Sequence, residues 1–567
     1  MRPLALILFT LALSAAPLLA QCSNWPPDSP VQQLYQQQNW TAVVRLARAT
    51  PSPSPQMHFD AGMALAHLGK LPEARRSLLA GLRQCPPDPH FPEELAGVAF
   101  EQKRYPEAAH WLRRALHLDP RDAYAANFLG TVEYLSGNLP AAIQAWNRIG
   151  KPSIDNLDLD PHLRVHHLLL DRAFVFAPHS VLRESQFSAT QARLDGLGIF
   201  PSYSLQLAAQ PNGSFDAVFR AQERNGFGSS RLAALLSALG GLPYETVYPT
   251  YSNIHRDAMN FDSLLRWDSQ KRRVGLALSA PPGGLPSWRW HVSADWRGEN
   301  WAVRRSFTGT DPVLGSLHLD REALSFGLAS FETGRLQWTL GGDLSHRTFT
   351  NVIPGSALTP SLLTSGYEVQ VPASIGYRLL DVPAHRFTLA TSAASAFGRT
   401  LSTPTHTFEN LQGSALAYWL PSPQSSAWEL RQQLRAGKIF GSPPFDNLYL
   451  FGMDRDDTDL WLRAHIATRD GRKGSAPVGN AYFLANTDLF RRIYANGLLA
   501  IHAGPLLDIG RMTAPTPGLS AGQWLFDTGV EARLTVLHTS VVLSYGRDLR
   551  SGANAFYGSV APPSSLP

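Results

Sequence analysis

The sequence predicts a multidomain fold: an α-helical repeat array, then a small α/β module, then a C-terminal antiparallel transmembrane β-barrel of about 16 strands. Three observations predict it. Small residues recur every 34 positions between residues 31 and 151. A strand, helix, strand, strand pattern occupies residues 159–226. From 258 to 560, apolar and polar residues alternate with period two in segments of about ten residues or more, long enough to cross a bilayer at a tilt. A chain of 567 residues is too long for one ordinary domain.

Residues 1–20 read as an export signal. Arg2 supplies the charge, Leu4 to Leu19 an apolar stretch and Ala20 a cleavage point. The stretch Leu19-Ala20-Gln21-Cys22 departs from a lipoprotein box, because Gln is large for the position before the cysteine. The two cysteines, Cys22 and Cys85, can bridge in an oxidising compartment or stay free. They offer no metal-ligand spacing. After the signal no apolar run reaches the ~18–20 residues of a membrane helix, so a membrane form must cross as strands. Charge is nearly balanced, 50 Lys+Arg against 45 Asp+Glu. Short basic runs such as Lys271-Arg272-Arg273 and Arg491-Arg492 sit at strand ends, where they suit lipid headgroups and not nucleic acid.

In the array, Gly62, Ala96 and Gly130 are 34 apart. Ala74, Ala108 and Ala142 each follow by twelve, and Leu78, Leu112 and Trp146 by four more. Pro86 and Pro120 close the first two units, and Asn39-Trp40-Thr41-Ala42 with Leu46 reads as the second helix of a degenerate earlier unit. The small residues let paired helices approach, and the larger ones fill the groove. This pattern resembles the tetratricopeptide repeat. The resemblance implies a concave surface for a peptide or protein partner.

In the α/β module, Val165 to Leu170 reads as a strand and Ser188 to Leu197 as a helix with Ser188 at its N-cap. Ser202 to Leu207 and Phe215 to Arg220 are strands joined by the turn Gln210-Pro211-Asn212-Gly213-Ser214. His166 and His167, adjacent on a strand, would face opposite sides and cannot chelate together. The element order and the phrase Leu194-Asp195-Gly196-Leu197-Gly198-Ile199-Phe200 resemble a polypeptide-transport-associated (POTRA) module. Such a module implies an exposed sheet edge that adds a client strand. Residues 227–257 form a linker with one helix, Ser229 to Leu239, ending at Gly240-Gly241.

In the barrel region, Trp288, Trp290, Val292, Ala294 and Trp296 alternate with Arg289, His291, Ser293 and Asp295. Phe526, Val530, Ala532, Leu534 and Val536 alternate with Asp527, Gly529, Glu531, Arg533 and Thr535. Trp267, Trp296, Trp301, Tyr377, Trp419 and Trp524 fall at segment ends, as in interfacial girdles. Ser540 to Asp548 and Asn554 to Gly558 form the last hairpin, followed by a tail from Ser559 to Pro567.

Two short motifs sit near the end of this run: Leu462-Arg463-Ala464-His465 in a polar stretch, and Leu506-Leu507-Asp508-Ile509-Gly510 on an apolar strand. They resemble the paired motifs of the BamA-like superfamily of assembly and two-partner-secretion barrels, also called the bacterial surface antigen family. There a long sixth loop carries Arg-Gly-aromatic into the lumen, and a wall strand ends in Asp-x-Gly. Arg463, Asp508 and Gly510 match; Ala464 and His465 replace the glycine and the aromatic. The resemblance, POTRA module included, covers about the last 400 residues. It implies an Arg463–Asp508 charge-assisted pair and insertion or translocation of client polypeptides at the outer membrane, with the N-terminal domains in the periplasm. It implies partners of three kinds: outer-membrane lipid, client polypeptides and a periplasmic protein held by the repeats.

The acidic run Asp454, Asp456, Asp457 and Asp459 reads as a solvated loop, since it lacks the glycine turn and distal glutamate of a calcium loop. No nucleophile elbow, zinc motif or phosphate loop is present, so the reading carries no enzyme, metal or cofactor. Alternatives are a passive pore or receptor barrel, and a structural envelope scaffold with a protein-binding repeat domain.

Overall fold

The computed structural model describes residues 30–228, 241–304, 312–421, 427–454, 459–496, 499–514, 519, 522–536 and 539–561. The export signal, Cys22 and the linker helix 229–239 lie outside the described residues. The chain divides into two units, residues 1–152 and 153–567.

The first unit is a run of helix pairs: α1 (Pro30–Gln36) and α2 (Trp40–Ala49), α3 (Pro55–His67) and α4 (Leu71–Gln84), α5 (His90–Glu101) and α6 (Tyr105–Leu118), α7 (Ala123–Leu135) and α8 (Leu139–Trp146). Each small residue of a first helix lies under the large residue sixteen positions later. A methyl group on Gly62 would meet Leu78 at 2.7 Å, and one on Gly130 would meet Trp146 at 2.2 Å. Ala74, Ala96, Ala108 and Ala142 are fully buried between the helices. The repeat spacing is thus a packing code: a missing side chain admits a neighbour's large one. Cys85 is buried and disulfide-bonded.

The second unit begins with a four-stranded sheet of order β2-β1-β4-β3. Its strands are β1 (Ser153–Leu159), β2 (Ser180–Val181), β3 (Ser202–Ala209) and β4 (Phe215–Gln222). Two helices, α9 (His167–Ala173) and α10 (Glu184–Leu197), complete the module. The first strand is therefore Ser153–Leu159, six residues ahead of the expected boundary. The run Val165 to Leu170, expected as a strand, enters α9, with His166 at its N-cap and His167 as its first residue. Its short apolar stretch carries no period that separates strand from helix. Ser188 is not an N-cap: α10 starts at Glu184, and the Ser188 hydroxyl donates to the Ser185 carbonyl within the helix. The β3–β4 hairpin turns at Gln210–Ser214, and the Asn212 amide and Ser214 hydroxyl both donate to Asp155.

The barrel follows. Strands β5 (Thr246–Val247) and β6 (Thr250–Ile254) both pair with β7 (Met259–Trp267). The wall continues through β8 (Lys271–Ala280), β9 (Trp288–Arg304), β10 (Val313–Ser330), β11 (Leu336–Ile353) and β12 (Gly366–Val382). Next come β13 (Phe387–Thr400), β14 (Thr407–Trp419) and β15 (Trp428–Gly441). The loop 442–480 holds four two-residue strands, β16 (Tyr449–Leu450), β17 (Thr468–Arg469), β18 (Arg472–Lys473) and β19 (Val478–Gly479). The wall resumes with β20 (Ala481–Ala495), β21 (Leu499–Thr513), β22 (Trp524–Val536), β23 (Thr539–Asp548) and β24 (Asn554–Ala561). Strand β15 pairs directly with β20, and β24 neighbours β5 to close the barrel. Across that seam the Tyr244 hydroxyl donates to the Gly558 carbonyl. Counting β5 and β6 once and leaving out the loop hairpin, fifteen wall strands fall among the described residues, against about 16 expected by analogy. The wall starts at Thr246, inside the expected linker, where left-handed residues Asn253, His255 and Arg256 interrupt the alternation. It runs to Ala561, past the expected start of the tail.

The outward face is apolar: Phe326 is 63% exposed and Val530 58%, with Leu324 and Ile375 also exposed. Inward neighbours such as Arg347, Glu368 and Asp527 are buried. A soluble sandwich would bury the apolar face; here that face needs a bilayer to cover it. Trp267, Tyr377, Trp419 and Trp524 point outward, as a girdle requires. Trp301 does not: it is buried against Phe445 and belongs to the lumen.

Helix α10 of the module sits on hairpin turns at one end of the barrel. A methyl on Gly196 would meet Phe331 at 2.7 Å, and Arg289 donates to the carbonyls of Gly196 and Leu197 at 3.1 and 2.9 Å. The Glu223 carboxylate ties the Arg164 and Val165 amides to the Asn253 side chain.

Candidate functional site

The loop 442–480 folds into the lumen. Strands β16 and β19 pair, and Lys473 of β18 bridges to Trp301 of the wall. Phe445, Leu450, Phe451, Leu462 and Val478 join Trp301, Leu319, Tyr482 and Met512 in one apolar cluster. Apolar packing alone would let the loop slide. Charges fix its register. Asp446 meets Arg347 at 3.0 Å, Asp454 meets Lys271 at 3.1 Å, Asp459 meets Arg435 at 2.9 Å and Lys473 meets Glu299 at 2.8 Å. Asp454 is therefore buried and paired, not part of a solvated run; Asp456 and Asp457 lie outside the described residues. Arg347 also holds Glu368 with two bonds of 2.6 and 2.8 Å.

The tip of the loop is Arg463-Ala464-His465. It lies against a feature of the wall set by strand register. Asn486 of β20 stands opposite Asp508 of β21, Asp508 opposite Asp527 of β22, and Asp527 opposite Asp548 of β23. Three aspartates thus stand in one row on adjacent strands, all buried. Like charges directly opposite each other destabilise a sheet, so this row requires cations. The loop tip brings them. Arg463 donates from Nη2 to Asp508 Oδ1 at 2.6 Å and from Nε to Asp508 Oδ2 at 2.9 Å, and its backbone amide donates to the same Oδ2 at 2.9 Å. Its Nη1 also meets Asp488 and, at 3.1 Å, Glu531. Burial pulls the guanidinium pKa down, but the Asp508 hydrogen bonds and the three carboxylate charges outweigh it, so Arg463 is held cationic. Asn486 steadies the pair, donating to Asp508 at 2.7 Å and to the Trp461 carbonyl at 2.9 Å.

The next two residues use the next aspartate. The Ala464 amide donates to Asp527 Oδ2 at 2.8 Å, and His465 Nδ1 lies 2.9 Å from the same oxygen. His465 Nε2 is 3.8 Å from Asp548. The donor atoms of His465, Asp527 and Asp548 all lie within 4.8 Å of one another, the one such grouping of metal-ligating type among the described residues.

Two glycines admit the tip. A methyl on Gly510 would touch Leu462 at 3.0 Å and Phe451 at 3.1 Å. A methyl on Gly546 of β23 would strike the Arg463 carbonyl at 2.2 Å and the Ala464 amide at 2.6 Å. The sequence reading singled out Arg463, Asp508 and Gly510, which the structure brings together. It missed Asp488, Asp527, Glu531, Asp548 and Gly546. Their signal was a polar residue at inward positions of successive strands, visible only once the register is known.

The fold and this site define a class: a helical-repeat array joined to a β-barrel whose lumen holds an inward-folded, charge-anchored loop. Residues 37–89 and 94–153 match the family model of the tetratricopeptide repeat. No curated protein matches the sequence of this chain. Among solved structures the chain is similar to BamA from Haemophilus ducreyi lacking POTRA domains 1–3, at 12% identity and a TM-score of 0.40, covering 72% of this chain and 85% of that one. It is similar to CdiB from Escherichia coli at 12% identity and a TM-score of 0.48, covering 72% and 76%. For CdiB from Acinetobacter baumannii the values are 11%, 0.41, 72% and 73%.

Proposed function

We propose that this chain is an outer-membrane barrel that inserts or translocates polypeptides, with its array and POTRA-like module in the periplasm. The observation that carries the reading is the Arg463 tip seated on Asp508 deep in the lumen. An arginine with three acidic partners has no free reactive face. Its role is positional: it sets where a long loop lies against the wall strands β20 to β23, next to the β24–β5 seam. Client strands would be handed over at the free edge of β3, the outer strand of the module's sheet. Backbone hydrogen bonding at such an edge needs little sequence information. The apolar cluster that packs the loop against the inner wall weighs against a passive pore, since a loop held there narrows the space that conductance needs.

The test is quantitative proteomics of outer membrane and medium after depletion in the host, with complementation by the native chain and by Arg463→Ala. Loss of many barrels means assembly, and loss of one or two exported proteins means dedicated transport. No change in either fraction would sink the proposal.

A further inference from the structure

The array carries a charge segregation that its packing does not require. Helices α1, α3, α5 and α7 contain no lysine or arginine. Every arginine within an array helix is on α2, α4 or α6. The first helices of successive pairs pack on one another, α1 on α3 and α3 on α5. In a curved stack the helices that crowd together line the concave side, the side such arrays use for binding.

The acids on these helices converge. Asp60 of α3 and Glu94 of α5 both act on the Tyr35 phenol of α1, and Glu93, Glu94 and Asp122 act on that of Tyr124 of α7. These groups therefore share one face across four helices. Tyr124 is 66% exposed on it, an aromatic surface with no burial to explain it. Asp60 is the telling residue. It is only 6% exposed, and its Oδ2 has no hydrogen-bond partner among the described residues. A buried carboxylate oxygen without a donor is costly; here burial raises the Asp60 pKa to about 6. A cation from outside that reached the exposed edge of this carboxylate would compensate its charge. His90, on the same helix as Glu94, is already tied to Asp88 at 2.7 Å.

We propose that the face formed by Asp60, Glu94, Asp122, Tyr35 and Tyr124 receives a lysine- or arginine-bearing segment of a partner polypeptide. A basic side chain pairs with Asp60 and Glu94, and the tyrosine rings cover its aliphatic stem. This inference rests on the partner-binding reading of the array and narrows it to a cationic partner.

The experiment uses the full-length chain in detergent. A short fluorescein-labelled peptide rich in lysine and arginine is titrated by anisotropy, with a glutamate-rich version as control. The cationic peptide binds, binding weakens steeply with added salt, and the double variant Asp60→Asn with Glu94→Gln weakens it at least about tenfold. Arg76→Gln, exposed on α4, leaves it unchanged. Equal binding by the double variant, or equal binding of the acidic peptide, overturns the inference. Failure of the array reading itself is seen separately: deletion of residues 31–151 would then leave client levels in the host unchanged. A deletion phenotype without cationic selectivity sinks the charge assignment alone.

Discussion

The array and the barrel lumen both rest on a glycine that admits a neighbour, and they use it differently. Gly130 makes room for the Trp146 side chain, and Gly546 makes room for the backbone of Arg463 and Ala464. In the array the admitted group is apolar and the contact recurs every 34 residues, so stability is spread over equivalent interfaces. In the lumen the admitted group is a loop tip that meets a row of aspartates found once. The first arrangement tolerates local loss. The second concentrates buried charge at one point, where loss leaves carboxylates uncompensated.

The largest expected effect follows from that concentration. Arg463→Ala leaves Asp488, Asp508 and Glu531 facing one another in the lumen, and breaking a buried pair from one side costs about 3–5 kcal/mol. The loop 442–480 should then become sensitive to added protease, and the barrel should unfold at lower temperature while the helical signal of the array is unchanged. A protected loop in this variant would show that the apolar cluster alone holds it. Next come the two glycines. Gly130→Ala overpacks against the Trp146 ring, a side chain held by the Asn127 carbonyl, at about 1–3 kcal/mol. Gly546→Ala meets backbone, which cannot turn, so it should expose the loop to protease even where global stability falls no further than in Gly130→Ala. Equal loop protection in the two variants would erase the distinction.

Legibility followed the same divide. The array was readable because Gly62, Ala96 and Gly130 repeat in phase, and period needs no partner to be seen. The barrel strands were readable from alternation. The wrong strand at Val165 to Leu170 came from a short apolar run with no period, and the hidden wall strand β6 from left-handed residues that break the alternation. Arg463 and Asp508 stood out through a resemblance. Asp527 and Asp548 did not, because their proximity to the loop depends on the pairing of β21, β22 and β23, a relation between positions about twenty residues apart. Trp301 looked like its outward neighbours, and its inward place depends on where the strand meets Phe445.

A smaller effect tests whether the lumen needs hydrogen bonding beside Arg463. His465→Phe puts an aromatic ring where the related motif has one and removes the bond to Asp527. Asp527 keeps the Ala464 amide, so the loop should stay docked, with a stability loss of about 1–3 kcal/mol from the lost bond to a charged group. Release of the loop as complete as in Arg463→Ala would mean that His465 and Arg463 act as one unit.

The smallest effect lies in the array and depends on pH. Burial first, then the hydrogen bond and charge of Asp122, raise the Glu93 pKa from 4.5 to about 8, while Asp122 is lowered. The folded array therefore holds a proton that the unfolded chain releases. For an acid with a raised folded pKa, stability is greatest below the unfolded value and declines as pH rises toward the folded one. The helical circular dichroism transition of the full-length chain should shift to lower temperature between about pH 5 and about pH 8.5, with Asp60 sharing the slope up to about pH 6 and Glu93→Gln flattening it above that. A cationic peptide on the acidic face would compete with that proton, so saturating peptide should also flatten the slope in the native chain. A slope identical in the native chain, in Glu93→Gln and with peptide would place the titrating group elsewhere in the array and detach the Glu93–Asp122 pair from the binding face.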